Sequence, residues 1–337
     1  MGSVRPEHFV EVGTDFRASS LEVLARARLA DDAVPAFLRR VAKRGIPEVV
    51  VLSTCNRFEL YAATDAPEET AAALEDELRA LLDGNGHVET VLRQDRDAVR
   101  HLIAVSAGLE SALLGEHEVL GQVRRAHGRA VEAGTSGEAL SELFGHALRH
   151  GRRIRRALGI SKLRRSLTDL AADWVAAHVG NLEERSAVVV GAGETASQMA
   201  ARLRALGSGR LTIVNRSFEG SLELARAVGA DTAELVRLPA LLAETDLLVL
   251  GTSAPEPLVT RADLAERSRH LFLVDLGLSP NADPAVSEHP SVTTLTLSDV
   301  VSLALAESAR ERTRSPHVGE LVQAAVEEFK PRVASTV

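Results

Sequence analysis

Apolar and polar residues alternate with a period of two in HFVEVGTDF (8–16), the pattern of a strand with two unlike faces. Leucine and alanine spacing over 21–44 suits helices, and EVVVLSTCNRFELYAATD (48–65) reads as two strands meeting around Ser53 to Arg57. ETAAALEDELRALLDGNG (69–86) predicts a helix with a capping-type start and a glycine stop, followed by a strand in VETVLRQD (88–95). From Asp97 to Arg156 the pattern turns almost wholly helical, in at least three segments broken near Gly115 and at AGTSG (133–137). The first half is therefore expected to be an α/β domain.

The second half is punctuated differently. AVVVGAGETASQMAARLRALG (187–207) is an apolar run, a glycine turn and a helix; RLTIVNRS (210–217) is a strand, and SLELARAVGA (221–230) a helix. DLLVLGTSAP (246–255) and LFLVDLGL (271–278) are further buried-type runs. Continuous apolar strands alternating with helices predict a parallel sheet covered on both faces. SDVVSLALAESARERTRS (298–315) opens a long C-terminal helix, which Pro316 interrupts before the pattern resumes at 318. The expected organisation is a catalytic and substrate-binding domain over 1–158, a Rossmann-type nucleotide-binding domain over 159–297 and a helical segment over 298–337.

Composition adds boundaries to this picture. No apolar run approaches the ~20 residues that span a bilayer, and the first residues do not read as a signal peptide, so the expected location is cytoplasmic. The single cysteine, Cys55, excludes an internal disulfide framework and a cysteine-cluster metal site, and no metal is expected. The net charge of −8 argues against a large nucleic-acid footprint. Locally, however, Arg149, Arg152, Arg153, Arg155, Arg156, Lys162, Arg164 and Arg165 follow one another with no acid between them. Such a stretch is a candidate phosphate-contact surface or simply a solvated helix face.

Two motifs carry chemistry. Gly191, Ala192, Gly193, Glu194, Thr195 and Ala196 follow a strand and open a helix, which is where a dinucleotide pyrophosphate binds. The next strand ends in Asn215, Arg216 and Ser217 rather than an acidic residue, which favours a 2′-phosphate and hence NADPH. Cys55 lies in STCNRFELY, flanked by Ser53, Thr54, Asn56 and Arg57, a run too polar for a core. Arg57 is expected to stabilise a thiolate there, and a thiolate beside NADPH suits attack on a carbonyl followed by hydride transfer.

STCNRFELY resembles the active-site segment of glutamyl-tRNA reductases, and HLIAVSAGLESALLGEHEVLGQVRRA (101–126), GRRIR (151–155), SLTDLAADWV (166–175), GAGETA and VNRS recur in the same order. The resemblance implies that Cys55 attacks the ester joining glutamate to tRNA. It implies that the thioester is reduced to glutamate-1-semialdehyde, the first step of five-carbon tetrapyrrole synthesis. It also implies substrate contacts from Thr54, Asn56 and Arg57, with Arg57 as carboxylate partner. A second group comprises Ser111, Glu116, His117, Glu118 and Gln122, and His101 matches a histidine important for activity. Glutamyl-tRNA is the implied partner, the next pathway enzyme is a candidate recipient of the aldehyde, and the implied molecule is V-shaped.

Four departures qualify these expectations. Phe16-Arg17-Ala18-Ser19-Ser20 stands where the family has a His-Lys-Thr-Ala-Pro type run, and His117-Glu118 where it has Pro-Gln. Arg156-Ala157-Leu158 stands in place of Thr-Glu-Thr, and the chain ends at Val337 before the family's helical dimerisation domain, leaving the oligomeric state open. Reduction of a different aminoacyl-tRNA and a non-catalytic tRNA-binding role are the competing readings.

Overall fold

The computed structural model describes residues 6–82, 89–159, 165–314 and 317–330. The chain divides into two compact units, residues 1–164 with 305–337, and residues 165–304. The segment expected as a C-terminal extension is thus shared between them. It forms two helices, α11 (Leu297–Arg314) and α12 (Val318–Glu328), rather than one long one. Among the described residues no helix is long and apolar enough to cross a membrane.

The first unit is built on a four-stranded antiparallel sheet in the order β2-β3-β1-β4, comprising β1 (His8–Asp15), β2 (Glu48–Ser53), β3 (Arg57–Thr64) and β4 (Val91–Gln94). Its helices are α1 (Leu21–Ala27), α2 (Val34–Ala42), α3 (Pro67–Leu81), α4 (Asp95–Ala107), α5 (Glu118–Ala133) and α6 (Glu138–Ala157). The expected capping start of α3 is absent: Ala66 occupies the cap position without a side-chain bond, and Pro67 supplies the preset φ. Its expected glycine stop lies outside the described residues.

Register decides what lies beneath the helices. Glu59 of β3 pairs with Gly13 of β1, Tyr61 with Glu11, and Arg93 of β4 with Glu11. Because successive side chains point to opposite faces, Glu11, Arg57, Glu59, Tyr61 and Arg93 share one face. That face is unusually polar for a buried sheet: Glu11, Arg57, Glu59 and Tyr61 are each at most 2% exposed. Phe144 of α6 stands edge-on against Tyr61, with ring centroids 5.4 Å apart.

Helix α4 ends at Gly108, whose φ of +77° is the left-handed cap that glycine adopts without strain. A side chain there would also meet Arg155 at 2.8 Å and Gly115 at 2.9 Å. The loop from 108 to 117 is consequently held close, and Arg155 clamps it by donating to the carbonyls of Ala107, Gly115 and Glu116. Ser308 of α11 secures the other side, accepting from Leu114 N at 2.6 Å and donating to Ala112 O at 2.8 Å. Helix α12 packs on α4 and α6, with His146 bonded to Ala325 O at 2.8 Å and Phe329 against Phe9.

The second unit opens with α7 (Leu167–His178), started by a capping box between Ser166 and Asp169. Its six strands are β5 (Ser186–Val190), β6 (Arg210–Asn215), β7 (Asp231–Glu234), β8 (Leu247–Leu250), β9 (Leu271–Asp275) and β10 (Val292–Thr296). Helices α8 (Glu194–Ala205), α9 (Phe218–Val228) and α10 (Leu238–Leu242) connect them. All pairings are parallel in the order β10-β9-β8-β5-β6-β7, the doubly wound arrangement of dinucleotide-binding domains. Valine and leucine make β5 and β8 almost fully buried, as a sheet covered on both faces requires.

Candidate active site

Cys55 sits half-buried at the tip of the β2–β3 hairpin. Thr54 makes this tip: its N–H donates to Arg57 O at 2.9 Å, and its hydroxyl accepts from the amides of Asn56 and Arg57 at 3.1 and 3.2 Å. The turn is tied to the end of β1 because Phe16 N donates to Asn56 O at 3.0 Å. Asn56 is buried, and its Oδ1 has no hydrogen-bond partner, an expensive arrangement unless something else supplies a donor.

The electrostatics of the thiol differ from the expectation. Burial pushes the Cys55 thiol up to about 12, and the Glu116 and Glu118 carboxylates push in the same direction against Arg28. Arg57 is not the thiolate's partner. Its guanidinium is 1% exposed and lies inward, donating to Glu59 Oε1 at 2.5 Å and to the Glu110 carbonyl at 2.5 Å. The guanidinium expected to pair with the substrate carboxylate is therefore already engaged within the protein.

Arg57 belongs to a buried network that the sequence reading missed. Glu59 accepts from Arg57, from the Tyr61 hydroxyl at 2.7 Å and pairs with His101 Nε2 at 2.8 Å. Burial alone would raise the Glu59 carboxyl, but Arg57 and His101 hold it far below the usual carboxylate range. Glu11 adds a second carboxylate, bonded through Oε2 to Arg93 at 2.6 Å. A cleft of about 540 Å³ borders this network, lined by Asp15, Arg17, Arg93, Arg100, His101 and Glu110 among others. Arg17 there forms ion pairs with Asp15 and Glu110. The missed signal was the alternation R-F-E-L-Y, which places three polar groups on one sheet face.

The second predicted group lies on the clamped loop and the first turns of α5. Ser111 is buried and hydrogen-bonds the Glu116 carboxyl, which is itself buried. Burial, then the charge of Glu118, raises the Glu116 carboxyl to about 7. His117 occupies the exposed cap position of α5, Glu118 its first turn, and Gln122 is half-buried one turn on. Of the basic stretch, Arg149, Arg152, Arg153 and Arg156 are exposed on α6, and Arg153 pairs with Glu328 at 3.3 Å. Arg155 is a correction to that surface, being the buried loop clamp, and Lys162 and Arg164 lie outside the described residues. Arg165 pairs with Asp173.

In the second unit, Gly191 has φ +114°, and a side chain there would come within 2.6 Å of the Gly251 carbonyl. Gly193 caps α8, and a Cβ at this position would meet nothing within 4 Å, so the helix start faces open space. Glu194 and Thr195 begin the helix, while Ala196 is fully buried against the sheet, its amide 3.3 Å from where a side chain on Gly251 would stand. At the end of β6, Asn215 donates to Ser217 at 3.3 Å, and the exposed Arg216 has no ion-pair partner among the described residues. A free guanidinium beside an open helix start fits a dinucleotide carrying a 2′-phosphate.

A lone thiol on a polar hairpin and a doubly wound unit with a phosphate-accepting turn define a nicotinamide-dependent reductase acting on an acyl group. Similarity to known proteins specifies which. The Glutamyl-tRNAGlu reductase N-terminal domain profile matches residues 12–158, and the Shikimate / quinate 5-dehydrogenase profile matches 173–303. The chain is 34% identical to the glutamyl-tRNA reductase of Rubrobacter xylanophilus, over 94% of its length and 76% of the relative's. It is 35% identical to a glutamyl-tRNA reductase of Thermus thermophilus, over 94% and 79%. The solved glutamyl-tRNA reductase from Methanopyrus kandleri superposes with a TM-score of 0.52 at 30% identity, covering 95% of this chain and 78% of that one. The chain belongs to the glutamyl-tRNA reductase family.

Proposed function

We propose that this chain reduces glutamyl-tRNA with NADPH to glutamate-1-semialdehyde through a thioester on Cys55. The observation that carries the mechanism is the position of the chain's one thiol at a hairpin tip, beside the unpartnered Asn56 Oδ1, in a member of this family. Cys55 Sγ attacks the ester carbonyl, forming an S–C bond; the tRNA 3′ oxygen leaves with the thiol proton. Bound NADPH supplies the hydride that the thioester carbon accepts. Collapse releases the aldehyde and returns Cys55 to the thiol with one proton taken up.

The protein's own groups support each requirement. Gly191, Gly193 and the start of α8 fit the pyrophosphate, and Arg216 fits the 2′-phosphate. The unpartnered Asn56 Oδ1 offers an acceptor next to Cys55, suited to a substrate ammonium. The cleft cation Arg100, bonded to the neutral Gln323, suits the substrate carboxylate better than the enclosed Arg57. The exposed arginines of α6 suit tRNA phosphates.

The test supplies purified protein with NADPH and a panel of charged tRNAs, following NADPH oxidation and aldehyde formation. Turnover of glutamyl-tRNA that disappears in Cys55→Ser is expected. Turnover of only another charged tRNA would reassign the substrate while keeping the chemistry. Binding of tRNA without any reduction would overturn the proposal.

A further inference from the structure

Among the buried groups that the reaction steps above leave unused, Glu11 stands out. Its side chain is fully enclosed, yet only Oε2 is satisfied, by Arg93; Oε1 has no hydrogen-bond partner. A buried carboxylate oxygen without a donor is costly, so it must carry a proton or face something that does. Its near neighbours are informative. One carboxyl oxygen of Glu11, one of Glu59 and a ring nitrogen of His101 lie within 4.8 Å of one another. Gly13 lets Oε1 lie close against the β1 backbone, since a Cβ there would come within 2.8 Å of it.

Two ligand types could occupy such a cluster, a divalent cation or a proton. Charge separates them. Arg57 and Arg93 already balance the Glu59 and Glu11 carboxylates, and both guanidiniums are in hydrogen-bond contact with them. A cation would find nothing left to neutralise, and it would have to displace an arginine. A proton displaces nothing, since Oε1 has no partner to lose.

The same count shows what the proton can do. With Glu11 protonated, Arg57, Arg93 and Glu59 together carry one net positive charge. With Glu11 ionised the cluster is neutral, and a proton on His101 restores the same single charge. A proton on Glu11 and a proton on His101 therefore leave the buried cluster with the same charge. His101 and Arg93 line the cleft, whereas Glu11 does not, and of these two only the His101 ring can both take up and release a proton.

From this geometry we infer that Glu11 is a positioning residue for His101, storing on its unpartnered Oε1 the proton that His101 delivers to the cleft. The inference rests on the reductase reading above, because that reaction takes up one proton per turnover when the aldehyde leaves and the thiol is restored. The groups facing Glu11 are Arg57, Glu59 and Tyr61 on β3, Arg93 on β4 and His101 on α4. Their balance, dominated by burial, raises the Glu11 carboxyl to about 7, so the store is half filled near neutrality.

Two measurements on the full chain test this. In wild-type protein labelled at glutamate carboxyl carbons, a signal absent from Glu11→Gln should titrate near 7 and should shift in His101→Gln. A Glu11 signal in the ordinary carboxylate range, or one indifferent to His101, would overturn the inference whether or not the protein reduces glutamyl-tRNA. In the kinetic arm, Glu11→Gln should lower kcat by about tenfold or more, with KM for glutamyl-tRNA within about twofold. It should also flatten the limb of the pH profile near neutrality, and Glu11→Asp should restore part of it. Should Glu11→Gln keep the wild-type pH profile, the stored-proton role is wrong. Unchanged tRNA binding and far-ultraviolet circular dichroism in the variant exclude a folding defect as the cause.

Discussion

Burial and two carboxylates act together on Cys55, so the resting side chain is a neutral thiol rather than the poised thiolate that an adjacent arginine suggested. The reason is directional: Arg57 follows Cys55 by two residues, but as the first residue of β3 it points into the sheet's polar face toward Glu59. The alkylation rate of Cys55 by iodoacetamide at pH 8 follows the thiolate fraction. Glu118→Gln removes one carboxylate that opposes ionisation, and should speed alkylation about three- to tenfold, as expected for a nearby charge at intermediate dielectric. An equal or slower rate would show that Glu118 does not hold the thiol up.

At the residue scale, legibility followed local chemistry. The meeting of two strands around Cys55 and the glycine turn after β5 were readable because both depend on immediate neighbours. Glu11, Glu59, Tyr61 and Arg93 were not, since the strand register that assembles them is a long-range property. Arg155 was misread for a related reason. Its position in a basic run suggested solvent, whereas helical periodicity turns it inward while Arg152, Arg153 and Arg156 face out.

Among the elements, the strong apolar runs β5, β6, β8 and β9 were legible, but β7 and β10 were not. Both are edge strands of four or five residues with largely half-exposed side chains, so they lack the hydrophobic signal of their neighbours. Two predictions belong at this scale. Arg216 at the end of β6 is exposed and without an ion pair, so Arg216→Ser removes only an interaction with cofactor. KM for NADPH should rise about ten- to a hundredfold, the value of a charge-assisted bond, and that for NADH by less than about twofold. Equal effects on both would deny Arg216 its phosphate. On α6, Arg149→Gln with Arg152→Gln and Arg156→Gln removes three exposed charges without touching the Arg155 clamp. Affinity for tRNA should fall and the slope of log K against log salt should flatten by about two to three. An unchanged slope would place the tRNA elsewhere.

For the molecule as a whole, buried carboxyls set opposing demands on pH. Glu59, Glu110 and Asp15 are held low in the fold: burial opposes this, but Arg57 with His101 acts on Glu59 and Arg17 acts on the other two. Their contribution is present above the ordinary carboxylate range and is lost as pH falls through their folded values. Glu11 and Glu116 are shifted the opposite way, chiefly by burial, each from 4.5 to about 7. Between those values the folded chain binds more protons than the unfolded one, so stability falls as pH rises, by at most about 1.4 kcal/mol per pH unit for each group. The first unit should therefore be most heat-stable in mild acid, near the lower end of that window, and lose Tm steadily toward pH 7. Glu11→Gln and Glu116→Gln each remove one titrating group, and the double variant should lose this fall, leaving the rise toward pH 7 expected from His127 and His150, which burial holds below the ordinary histidine range. Calorimetry across that range checks it. A wild-type Tm that climbs over the same interval as steeply as that of the double variant would mean that these two carboxyls ionise in the fold as freely as they do in water.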